Sequence, residues 1–112
     1  MTAEIDNKVA QLQMIEQDIQ NILMQKQALQ SQLIELNNAL EELEKSKGQV
    51  YKIIGAVMVS SNKEDLKKEL NEKKEVVELK IKNVEKQENQ LKEKASNLQS
   101  EVLSQIKEKG GE

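Results

Sequence analysis

Acidic residues and lysines are the only side chains numerous enough here to do acid–base or metal chemistry: 20 Asp plus Glu and 17 Lys, with no His, Cys or Arg, in 112 residues. Without His there is no group that titrates near neutrality, and without Cys the commonest soft nucleophile is missing. The carboxylates run as Glu41-Glu42-Glu44 and as Glu72-Lys73-Lys74-Glu75. They read as a solvated helix surface, where nothing dry or concave would shift a pKa. Gly48, Gly55, Gly110 and Gly111 make neither a Gly-x-x-x-x-Gly-Lys nor a Gly-x-Gly-x-x-Gly phosphate loop. No enzyme, no cofactor and no metal site is therefore expected, and any work the chain does is ATP-independent. A net charge of −3 with no Arg also argues against nucleic acid, because phosphate binding needs a concentrated basic surface. Met14 and Met24 read either as packing filler or as adaptable contacts.

What such side chains need to hold them is an elongated scaffold. The hydrophobic fraction, 37%, falls below the roughly 45–50% of a globular domain, and Tyr51 is the one aromatic residue. From Ala3 to Lys47 apolar residues recur at Ile15, Ile19, Ile22, Leu29, Leu33, Leu36, Leu40 and Leu43, alternating by three and four except at Lys26. These are the a and d positions of a heptad seam, with the Lys26 stem covering apolar surface while its ammonium reaches water. Ile5, Val9 and Leu12 extend it with two steps of three in succession at Leu12 and Ile15, a stammer that overwinds the coil. Lys45 and Lys47 before Gly48 mark a helix end with a left-handed glycine cap.

A second helix opens at Ser61-Asn62-Lys63-Glu64, read as a capping box on Ser61, and runs over 62–109. One column passes through Leu70, Val77, Val84, Leu91 and Leu98, flanked by Leu66, Ile81, Ala95 and Val102. Glu64-Lys68, Glu69-Lys73, Glu78-Lys82 and Glu88-Lys92 are Glu-to-Lys pairs at i,i+4 that mark an outer, solvated face. Residues 49–60 read as a β-hairpin turning at Gly55-Ala56 in type II′ geometry, with Ile54 opposite Val57, Ile53 opposite Met58 and Tyr51 opposite Ser60. Val50, Ile54, Val57 and Val59 then share one face and Tyr51, Ile53 and Met58 the other. One chain cannot cover both faces of a two-stranded ribbon, so the chain is expected to oligomerise through its hairpin. The fold class is mainly α: one domain over residues 1–112, an antiparallel two-helix coiled coil with a short central β-hairpin.

Antiparallel helices pair residues whose numbers sum to about 109, taking Leu43 opposite Leu66. Ile5, Val9 and Leu12 then meet Leu98, Val102 and Ile106, ~60 Å from the hairpin at about 1.5 Å per residue. With Met14, Ile15 and Leu103 this tip holds more aliphatic residues than two helices can bury between themselves, which makes it either a frayed end or a binding site. The opening Met1–Asp6 has no secretory pattern and the run Ile53–Val59 is too short to span a bilayer, so a soluble, cytoplasmic protein is expected.

Val50-Tyr51-Lys52-Ile53-Ile54-Gly55, with its aliphatic second strand to Val59, resembles the Val-Tyr-Lys-x-x-Gly hairpin of β-type prefoldin subunits, cytosolic chaperones of archaea and eukaryotes. Glu85 to Lys94 followed by Leu98-Gln99 is similar to that family's Gln-Glu-x-x-Leu and Leu-Gln spacing. The resemblance implies a hexamer of two α-type and four β-type subunits, assembled through residues 50–59. It implies that the coiled-coil tips hold unfolded proteins and pass them to a group II chaperonin. A coiled-coil tether without clients also accounts for the heptads, but it has no use for a ribbon apolar on both faces. A helical RNA-binding arm would need a basic stripe, whereas residues 62–112 balance twelve Lys against twelve acids.

Overall fold

The computed structural model describes residues 2–110, so Gly111 lies outside the described residues. Helix α1 spans Thr2–Lys45, strands β1 and β2 span Val50–Ile54 and Val57–Ser61, and helix α2 spans Lys63–Gly110. The fold class read from the heptads and the hairpin is the one observed. The chain divides into a terminal unit, Met1–Lys26 with Asn83–Glu112, and a hairpin unit, Gln27–Lys82.

In the terminal unit, α1 turns inward at Ile5, Lys8, Leu12, Ile15, Ile19, Ile22 and Lys26, all buried or half-buried. The steps alternate three and four without a break, which corrects the expected stammer: the seam position is Lys8, and Val9 stands outside it, exposed. The long lysine stem fills the layer while its ammonium reaches Glu101 at 3.4 Å. Opposite, Val84, Glu88 and Val102 are buried and Leu91, Ala95, Leu98 and Gln105 half-buried. The pair Lys8–Glu101 falls on the expected sum of 109.

The hairpin unit continues both seams, with Leu29, Leu33, Leu36 and Leu40 half-buried and Leu43, Val77 and Ile81 buried. Helix α1 ends two residues before the expected Lys47. The Ser46 amide turns back to the Leu43 carbonyl at 3.2 Å, and Lys63 from α2 donates to the Glu44 and Ser46 carbonyls at 3.3 and 3.2 Å. A cation thus satisfies the orphan acceptors at the negative end of the helix dipole. Gly48 has the expected positive φ of 105°, but it stands past the helix end, where it turns the chain into β1 and does not cap α1. The capping box on Ser61 is also corrected. Ser61 is held in the β ladder opposite Val50, and the Asn62 side chain accepts the Glu64 amide at 2.8 Å, as an N-cap residue does.

Strands β1 and β2 pair in the expected register, Ile54 opposite Val57 through Val50 opposite Ser61. Gly55 has φ 60° and no other residue type has positive φ among the described residues. Positive φ at the first turn position alone fits the type II′ turn.

Candidate functional site

Two exposed aliphatic surfaces stand out, one in each unit. On the hairpin, the pleat places Val50, Lys52 and Ile54 on one face with Val57, Val59 and Ser61, and Tyr51, Ile53, Met58 and Ser60 on the other. Val50 is buried, and Lys52 on the same face donates to both carboxylate oxygens of Glu69 at 2.6 and 2.7 Å. That pair fastens β1 to α2. The rest is open: Ile53 is 69% and Met58 64% exposed, directly opposite each other, and Tyr51, Ile54, Val57 and Val59 are exposed too. Contiguous exposed apolar surface on an unpaired sheet is a pairing surface. Of the eight hairpin residues singled out by sequence, only Val50 is used up inside its own chain.

The nine tip residues separate in the terminal unit. Ile5, Leu12, Ile15, Leu98 and Val102 lie in the seam, whereas Val9, Met14, Leu103 and Ile106 are exposed, Met14 and Leu103 by about two thirds. Sequence reasoning missed the two polar seam residues among them, Lys8 and Gln105, because apolarity alone chose the neighbours Val9 and Ile106. Alternation by three and four, held strictly through the whole helix, is the signal that identifies them. It also missed Ile34, Val76 and Leu79, exposed in the hairpin unit. There an open groove has Leu36, Ala39, Val76 and Val77 among its lining, with Glu35, Glu69, Lys73 and Lys80 beside them.

Charge is organised around carboxylates held in salt bridges. Glu88 was read as part of the solvated face, yet its side chain is only 7% exposed and occupies a seam position. It accepts from Lys92 at 3.1 Å and from Lys26 at 3.2 Å, so the Lys26 ammonium, on a side chain still 25% exposed, also reaches a carboxylate. Hydrogen bonds from Lys92 and then Lys26 hold the Glu88 carboxyl below the usual carboxylate range. Lys52 does the same to Glu69, and Lys67 to Glu44; the Lys67 ammonium is raised in turn by Glu44. The pH dependence follows in sign. Carboxylates with lowered folded pKa values contribute stability that is whole above the unfolded value of about 4.3 and lost as pH falls through the folded values. Lys67 contributes below the unfolded lysine value of about 10.4, and that part is lost as pH rises through its folded value. Melting followed by circular dichroism is expected to show a plateau between about pH 5 and pH 10 with a fall on either side.

Among the described residues no group of three or more carboxylates is placed to hold a metal ion, and no helix is long and apolar enough to cross a membrane. The sequence profile described as "Prefoldin subunit" matches residues 6–109. The chain is 36% identical to the prefoldin subunit beta of Archaeoglobus fulgidus over 110 residues, 96% of this chain and 95% of that one. It is 33% identical to the prefoldin subunit beta of Saccharolobus islandicus strain L.S.2.15 over 114 residues, 97% and 90% of the two chains. The crystal structure of the prefoldin beta subunit from Thermococcus strain KS-1 matches with a TM-score of 0.86 at 33% identity, over 90% of each chain.

Proposed function

Since the chain belongs to the prefoldin family and matches its beta subunits, we propose that its chaperone-type role is that of an ATP-independent holdase. In this reading residues 50–59 join it to α-type and further β-type subunits in a cytoplasmic hexamer, two of the first and four of the second. The free end of each terminal unit holds unfolded chains by their apolar segments and passes them to a group II chaperonin. The observation that carries the holdase reading is the set of aliphatic residues left open there, Val9, Leu103 and Ile106. Several such ends on one particle act together, because once one has engaged a client the next meets it at high effective concentration. Each contact can then be weak and quickly released without a nucleotide cycle.

Deleting Met1 to Leu12 together with Val102 to Glu112 removes Val9, Leu103 and Ile106 and spares the hairpin. The particle mass, read by light scattering with an α-type partner present, is expected to fall only by the deleted residues. Suppression of aggregation of a chemically denatured client is expected to disappear; undiminished suppression would sink the assignment of client holding to this end.

A further inference from the structure

At the free end of the terminal unit polar side chains occupy the seam and aliphatic ones stand beside them in the open. Lys8 is half-buried and Val9 exposed; Gln105 is half-buried and Ile106 50% exposed. The same inversion occurs on both helices. It has a cost, because the Gln105 carboxamide oxygen is buried with no hydrogen-bond partner among the described residues. A sequence shaped only for a tight coil would turn Val9 and Ile106 inward and Lys8 and Gln105 outward.

Helix periodicity brings the displaced residues to one flank. Val9 and Ile106 each follow a seam residue in the same heptad place, and in an antiparallel coil those places lie on the same side. Gln13 lies a turn from Val9, and Leu103 and Gln99 lie one and two turns before Ile106. These five residues carry no charge, and Asp6 and Glu16 bound them on α1, a turn from Val9 and from Gln13. The other flank holds Glu4, Met14, Glu101 and Glu108, with Lys8 ion-paired to Glu101.

We propose that client holding is one-sided: the uncharged stretch of Val9, Gln13, Gln99, Leu103 and Ile106 takes an extended apolar segment of non-native polypeptide, and the Met14 flank stays out of the contact. The aliphatic residues take its side chains. The Gln13 and Gln99 carboxamides meet its unpaired backbone amides, which every unfolded chain offers whatever its sequence. The proposal rests on the holdase reading above and narrows it to one surface.

The test exchanges neighbours, keeping composition constant: Lys8→Val with Val9→Lys, and Gln105→Ile with Ile106→Gln, in the full chain assembled with its partner subunits. The probe is reduced and alkylated lactalbumin, permanently unfolded. The exchanged protein is expected to melt no lower than the parent and to keep its particle mass, yet to bind the probe at least about tenfold more weakly. Met14→Lys is expected to stay within about twofold, and raising salt is expected to change parental binding little, since the five residues are uncharged. Undiminished affinity in the exchanged protein, an equal loss with Met14→Lys, or a steep loss with salt overturns the one-sided contact. If the terminal deletion above abolishes binding in the same assay while the exchange does not, the holdase reading stands and only the flank is wrong; binding retained by the deletion removes both.

Discussion

Replacing Ile53 by lysine and Met58 by glutamate is expected to reduce the assembled particle to single chains while leaving helix content unchanged. The two residues face each other across the hairpin and are among its most exposed. Opposite charges placed directly across an antiparallel pair support the ladder, so lost assembly is not explained by an unravelled hairpin. What disappears is apolar surface available to a neighbour, worth about 1.5–3 kcal/mol for each large side chain buried. Two per chain weaken each contact by at least about 3 kcal/mol, more than about a hundredfold in affinity. Sedimentation or mass photometry reads the outcome directly, and an unchanged particle would mean that assembly runs through another surface. Client holding should fall in the same variant even though the terminal unit is untouched, because single chains lose the benefit of several ends acting together.

The second large effect is expected from Leu43→Ala. Leu43 is buried in the hairpin unit, where its carbonyl also accepts the turn that ends α1. Its truncation leaves a cavity between two helices that have no other layer to relax into, at a cost of about 2–4 kcal/mol. A total stability of about 5–15 kcal/mol makes that a large share. Thermal melting at fixed protein concentration is expected to drop by more than about 10 °C, the concentration being held because association itself stabilises. Val76→Ala, half-exposed in the same unit, is expected to cost no more than about 0.5 kcal/mol. Comparable losses at the two sites would show that the seam is not what holds the helices together.

Sequence periodicity was enough for the hairpin register and for most of the seam, because both rest on short-range rules: pleat alternation with a two-residue turn, and steps of three and four. Where the reading failed, a local rule met a competing one. Apolarity favoured Val9 over Lys8, but the uninterrupted period favours Lys8, and a lysine stem is long enough to fill the layer. Ser61 and Asn62 both suit a helix start, and the ladder to Val50 decided between them. Glu88 forms its expected i,i+4 pair with Lys92 and still lies inside, because Lys26 from the other helix shares the same carboxylate. The Lys63 contact to two carbonyls of α1 had no signal at all in the spacing of residues. It depends on where the hairpin returns the chain.

That contact also orders the closing of the coil. Lys63 and Ser46 are 17 residues apart, whereas Lys26 and Glu88 are 62 apart. The entropy of joining chain ends grows with the logarithm of the loop, so starting at Lys26 and Glu88 costs about 1 kcal/mol more than starting beside the hairpin. Once the Lys63 clasp has formed, each further layer lengthens an existing zipper. Folding then runs from the hairpin toward the termini, and the layers around Ile5 and Gln105 are the last to close and the first to fray.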